Sequence, residues 1–221
     1  MEDQGAKKRY REPRTVYSFG FSAGLPAAVH RLVISCGNHA AAYLLSSLGE
    51  EYVEWKATGT KGEQAATQLL GRIYQYQGDL VVLLTGKVSE NAAVPALESL
   101  LSSITCPSVV ALDSILLSQY TGSPTSTLLY LSNPQAQKSV PPASILGTGN
   151  VLKGFSAAAL LVCEVRSIPC IAAIALVPDH VLCSSTCRLF ESLALYSPSS
   201  QGYLRGIAAT ERSVYSHNVY S

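Results

Sequence analysis

Three runs of apolar residues with almost no polar interruption constrain this chain more than any other feature. They are LVVLL (80–84), VVAL within SVVALDS (108–114), and IPCIAAIALVP (168–178). Side chains along a strand alternate between the two faces of a sheet, so a strand wetted on one face alternates apolar with polar residues. An unbroken run needs cover on both faces, as strands of a parallel sheet have when helices flank it. Even the longest run falls well short of the ~20 residues that a bilayer-spanning helix requires. The runs are therefore expected as buried strands of an α/β domain.

The segments between them fit that expectation. RLVISC (31–36) passes through Gly37-Asn38 into HAAAYLLSSL (39–48), a strand–turn–helix unit. Residues 92–104 place Ala93, Leu97, Leu100, Leu101 and Ile104 on one helical face. GFSAAALLVCEV (154–165) reads as a further helix, and TLLYLS (127–132) and residues 52–55 as strands. One short strand is expected around residues 15–19. Helices are expected over 64–72, over 179–196 with Asp179 as cap, and over 203–212. Residues 133–150, rich in Pro, Ser, Gly and Gln, read as a long surface loop. The prediction is a single-domain three-layer α/β sandwich with a mostly parallel central sheet. Residues 1–28 form a basic flexible arm, 29–212 the folded domain, and 213–221 a flexible C-terminal docking tail.

Composition removes several functional classes. With 48% hydrophobic and 14% charged residues the chain is not disordered throughout. A net charge of +1 supplies no field to hold a nucleic acid, and the one basic cluster, Lys7, Lys8, Arg9, Arg11 and Arg14, lies in the arm. The N-terminus shows no apolar core of a signal peptide, so the six cysteines are expected to stay reduced in the cytoplasm, without disulfides.

Candidate catalytic patterns are weak. Gly86-Lys87-Val88 has Val81 where a phosphate loop needs its first glycine, and no hydroxyl for a magnesium ion. Gly147-Thr148-Gly149-Asn150 lacks the third glycine of a dinucleotide loop. His180, Cys183 and Cys187, with Cys163 or Cys170, could offer zinc ligands, but the spacing matches no zinc signature and free cysteine packs well in cores. Cys36 with His39 could form a nucleophile and base, yet nothing supplies an oxyanion site or an orienting third group. No catalytic residue, metal or cofactor is expected.

The last three residues are the remaining candidate site. Val219-Tyr220-Ser221 ends the chain with a hydrophobic residue, a tyrosine and a final carboxylate. Such an end suits insertion into a pocket: a lysine can pair with the carboxylate, the Tyr220 ring gives amphipathic contact area, and Val219 fills an apolar slot. With 12 tyrosines in 221 residues, chance alone produces the pattern in about 3% of chains. Upstream blocks add weight. RLVISCGNHAAAYLLSSL (31–48) resembles the first βα unit of the proteasome assembly chaperone 1 family, where a strand runs through Gly-Asn into a small-residue helix. GFSAAALLVCEVRSIPCIAAIALVPD (154–179) resembles that family's helix, Ile-Pro turn and buried strand, and Asn218-Val219-Tyr220-Ser221 resembles its C-terminal end.

The resemblance implies a non-enzymatic chaperone, paired with a second related protein of the proteasome assembly chaperone 2 type. The pair would promote assembly of the 20S proteasome α-ring and contact its α-subunits through Val219, Tyr220 and Ser221. It implies action in the cytoplasm, with the nucleus and the endoplasmic reticulum surface as further places, and neither nucleic acid nor membrane as partner. The other reading is a small α/β enzyme acting on a nucleoside or phosphate-containing metabolite, which needs a polar pocket near Gly37-Asn38 and Gly86 at the strand ends.

Overall fold

In the computed structural model, which describes residues 16–48, 51–61, 64–84, 90–139, 145–196 and 198–218, the three apolar runs become strands in the middle of one sheet. They are β5 (Asp79–Leu84), β6 (Val109–Leu116) and β8 (Cys170–Val177), with β2 (Leu32–Ser35) between β5 and β6. These four strands pair in parallel throughout. On one side the sheet continues antiparallel through β4 (Gln64–Tyr76), β3 (Val53–Lys61) and β1 (Val16–Phe21), and on the other through β7 (Leu128–Ser132). The sheet is thus mixed, parallel where the apolar runs lie and antiparallel at both flanks.

The alternation of strand side chains builds the three layers. Leu32 and Ile34 of β2 point to one side, into a core shared with α2 (Glu90–Ser103) and α3 (Gly154–Val165), through Leu97, Leu100 and Ala159. Val33 points to the other side, against Tyr43 of α1 (Asn38–Leu45), Phe190 and Tyr203 of α5 (Ser200–Asn218). Leu80 and Val82 of β5 repeat the first orientation, and Val81 and Leu83 the second. Each such aliphatic side chain contributes about 1.5–3 kcal/mol when fully buried. No helix among the described residues is long and apolar enough to cross a membrane.

Several elements differ from the sequence reading. Residues 64–72 are not a helix but the first part of β4, paired with β3 along their length and with β5 from Gly71 onward. Opposite β4, Trp55 pairs with Gly71 and Lys56 with Leu69, so Leu70 is an extra residue in a bulge. That doublet breaks the period-two pattern and imitates helical spacing. The stretch 179–196 is also not one helix. Asp179 Oδ1 accepts from Val181 N at 2.9 Å in a local turn; helix α4 (Ser184–Cys187) begins later and gives way to 3-10 turns that end at Ala194, with φ 50°.

The domain limits shift as well. Residues 16–21, assigned to the arm, are the strand β1. Its alternate aromatic residues Phe19 and Phe21 pack against the core, with the Phe21 ring stacked on Trp55. The last helix runs on to Asn218, so its backbone occupies most of the stretch assigned to the tail. Residues 1–15 lie outside the described residues.

Helix α5 sits on α1 through a close backbone approach. A Cβ at Gly202 would lie 2.5 Å from the Ser46 carbonyl oxygen, and one at Gly206 would collide with the Ala42 carbonyl oxygen. Spaced four apart on a helix, the two glycines lie on one face and let the backbones meet. In an exposed helix Gly→Ala stabilises by about 1 kcal/mol. Here we expect Gly206→Ala to destabilise by about 1–3 kcal/mol, because backbone must move to admit the methyl. Denaturant unfolding of both proteins checks this; a more stable variant would show that α5 is not seated on α1 as described.

Candidate functional site

The chain winds in two directions from β2. It moves through α1 on one face and returns to β5 on one side of β2, then crosses by α2 on the opposite face to β6 on the other side. Open α/β sheets bind ligands at the carboxyl ends of strands at such a reversal. The residues gathered there are Cys36 and Gly37 after β2, Asp113 and Ser114 of β6, His39 of α1, and Ser156 in the first turn of α3.

Their polar groups are engaged with one another. Asp113 Oδ1 accepts from Ser114 N at 2.8 Å, and Oδ2 accepts from the fully buried Ser156 hydroxyl. Buried His39 lies 3.4 Å from the Val181 carbonyl through Nε2 and 3.4 Å from Ser114 Oγ through Nδ1. A carbonyl can only accept, so Nε2 carries the proton, and Nδ1 accepts from the Ser114 hydroxyl in the neutral ring. Loss of solvent holds His39 below its ordinary pKa, partly offset by the Val181 bond. Loss of solvent also raises Asp113, against the pull of its bonds from Ser156 and Ser114. Burial and then the Asp113 charge push the Cys36 thiol well above its ordinary value, so it is protonated at neutral pH.

Cys36 and His39 therefore do not form a nucleophile–base pair. The imidazole is bonded to Ser114 and Val181, and the thiol faces a carboxyl that disfavours its ionisation. There is little room either: a Cβ on Gly37 would lie 3.2 Å from Ser114 Oγ and 3.4 Å from Asp113 Oδ1. The arrangement is a clasp joining β2, β6, α1 and α3. Nothing but the presence of an aspartate inside an apolar strand run marks it in the sequence.

The other sequence candidates fall elsewhere. Among the described residues no three His, Cys, Asp or Glu side chains converge as metal ligands. Cys183 Sγ contacts Ser185 Oγ at 3.0 Å and Thr186 Oγ1 at 3.4 Å, while Cys187 is buried in the core beside Phe190. Gly147–Asn150 is a pinned turn, because Asn150 accepts from Thr121 N at 2.8 Å and donates to the carbonyls of Thr121 and Gly147, both at 3.0 Å. Gly86 and Lys87 lie outside the described residues, as do Val219, Tyr220 and Ser221. What is described is the helix that precedes the last three. Besides its glycine contacts, α5 is held by buried Tyr203, whose hydroxyl donates to Glu191 Oε1 at 2.7 Å and whose ring lies 5.3 Å from the Arg188 guanidinium.

No protein-family model matches the sequence, and no curated protein does. Solved structures share its fold. PbaA of Pyrococcus furiosus, an archaeal homolog of proteasome-assembly chaperone, matches with a TM-score of 0.60 over 91% of this chain and 97% of its own, at 12% identity. PbaB of the same organism, an archaeal proteasome activator, matches with 0.59 over 91% and 98%, at 10% identity. A Thermoplasma acidophilum protein of unknown function gives 0.60 over 86% of each chain, at 14% identity. At these identities the likeness is one of fold.

The clasp has a signature in pH. The folded state keeps the Asp113 proton where the unfolded chain has lost it, so this group's contribution to stability falls as pH rises from about 4. Asp113→Asn carries no charge; its Oδ1 can still accept from Ser114 N, and its Nδ2 can donate to Ser156 Oγ, whose hydroxyl then donates to the Lys153 carbonyl. We expect the stability of the variant relative to the parent to rise with pH and to level off once the folded carboxyl ionises. Denaturant unfolding at several pH values checks it; a constant difference would contradict the raised carboxyl.

Proposed function

We propose that this chain is a proteasome assembly factor rather than an enzyme. The observation that carries the proposal is the fold shared, over nine-tenths of the chain, with PbaA, a homolog of proteasome-assembly chaperone. The archaeal activator PbaB, of the same fold, adds support. In this reading the chain pairs with a second chaperone of related fold, of the proteasome assembly chaperone 2 type. The pair works in the cytoplasm on the α-subunits of the 20S core precursor and promotes assembly of the α-ring.

The tail fits this role physically. Val219, Tyr220 and Ser221 follow directly on α5, which ends at Asn218 and is seated on α1 by Gly202 and Gly206. A few residues bury too little surface to hold a large partner alone. Contacts from the α/β body and from the partner chaperone raise the effective concentration of the tail at its pocket, so weak contacts add to a firm attachment. The enzyme reading is less well supported, because the polar groups at the strand ends satisfy one another and Cys36 holds its proton.

Deleting residues 219–221, or changing Tyr220→Ala, is expected to weaken binding to isolated α-rings by about tenfold or more, as loss of a buried aromatic anchor does. The unfolding temperature and the pairing with the second chaperone should not change. Undiminished ring binding in both variants, measured by surface plasmon resonance, would remove the tail from the mechanism. Absence of any binding by the intact chain with its partner would remove the proteasome reading itself.

A further inference from the structure

Strand β1 is the outer strand of the sheet, and its register on β3 determines which of its backbone groups face outward. Ser22 N donates to Glu54 O at 2.9 Å, and the pairing continues with Phe21 opposite Trp55, Gly20 opposite Lys56 and Phe19 opposite Ala57. Bonded and non-bonded pairs alternate in an antiparallel ladder. Ser22, Gly20 and Ser18 therefore bond inward to β3, and the N–H and C=O groups of Phe19 and Phe21 point away from the sheet. Among the described residues no backbone bond reaches Phe19 or Phe21 from that side.

Edge strands are commonly guarded by a lysine, a proline or a bulge. Here the edge strand VYSFGF has none of these, and residues 15–29 contain no charged side chain. Its side chains divide cleanly. Phe19 and Phe21 are half-buried against the core, while Ser18, Gly20 and Ser22 line an open cleft with Lys56. A Cβ placed on Gly20 would meet nothing within 4 Å.

We infer that β1 is a pairing edge for β1 of a second copy of this chain, antiparallel about a two-fold axis at Gly20. The strand is complementary to itself in this register. Phe19 of each chain faces Phe21 of the other, and each of these pairs exchanges both N–H···O bonds. The two Gly20 residues meet at the close non-bonded spacing, about 4.5 Å between Cα atoms, where the lack of side chains leaves room. The phenylalanines form cross-strand aromatic pairs on the covered face, and Ser18 faces Ser22 on the open one. This inference does not depend on the proteasome reading.

Sedimentation equilibrium of the full chain, alone, tests it. The parent protein is expected at the mass of two chains. Gly20→Lys and Gly20→Glu each bring two like charges together on the axis, and each should raise the dissociation constant about tenfold or more. An equimolar mixture of the two should regain the dimer, which a merely structural effect would not do. Since Gly20 borders open space, both variants should unfold at the parent's temperature. Should they not, Phe19→Pro is compared with Phe19→Ala: both lose the same core contact and only the proline also loses the outward N–H, so only the proline should weaken the dimer beyond the alanine. A parent that sediments as one chain at all concentrations overturns the inference, whether the edge is covered by residues 1–15 or by a strand of another protein. So does a dimer that Gly20→Lys leaves unchanged.

Discussion

The structure depends on burying one short strand completely. Leu32, Val33 and Ile34 of β2 have no solvent-exposed surface, and neither does Ser35. A four-residue strand cannot stand at an edge and achieve this: it needs strands on both sides and helices on both faces. Parallel neighbours β5 and β6 supply the first, and α1 and α2, leaving in opposite directions, supply the second. The reversal of winding at β2 is thus a consequence of its burial. The polar clasps then hold the two ends of this centre. At the amino end Arg31 pairs with buried Asp79 at 2.5 Å, and the Tyr196 hydroxyl gives the same carboxylate a further bond at 3.1 Å. At the carboxyl end Asp113 joins Ser114 to Ser156. A buried carboxylate without such partners would be strongly destabilising, so each clasp stabilises its own end of the sheet only as a complete set.

The parallel centre was legible in the sequence because its signal is local. An unbroken apolar run states by itself that both faces are covered, and all three runs are central strands. GFSAAALLVCEV was legible for the same reason, and α3 has the bounds its pattern predicts. Elements defined by distant pairing were not. Gln64–Tyr76 is rich in helix formers, and only its ladders to β3 and β5 make it a strand; the extra Leu70 hides the alternation that would have revealed it. The 179–196 stretch has helical composition, but Asp179 closes a turn with Val181 and the burial of Phe190 and Tyr196 fixes a tighter path. The clasp of Asp113, Ser156 and His39 draws on three separate elements, and its members share no sequence spacing.

Among the described residues the polar groups at the carboxyl ends of β2 and β6 are engaged with one another. The two surfaces proposed for contact with other chains lie elsewhere and are separated by the architecture. Helix α5 rests on α1, on the face opposite α2, whereas β1 lies at the sheet margin beside β3 and packs its aromatic side chains into the α2–α3 core. A pair of chains joined along β1 therefore leaves both α5 helices uncovered. Such a pair would present two C-termini on one rigid body, and the second tail to engage would do so at an effective concentration set by that body rather than by the solution. If the proposed function holds, the sheet edge would set the valency with which the chain meets its partner, and the glycine seat of α5 on α1 would set the position from which each tail starts. In that case strengthening one contact would leave the other's intrinsic affinity unchanged, while the overall attachment would depend on both.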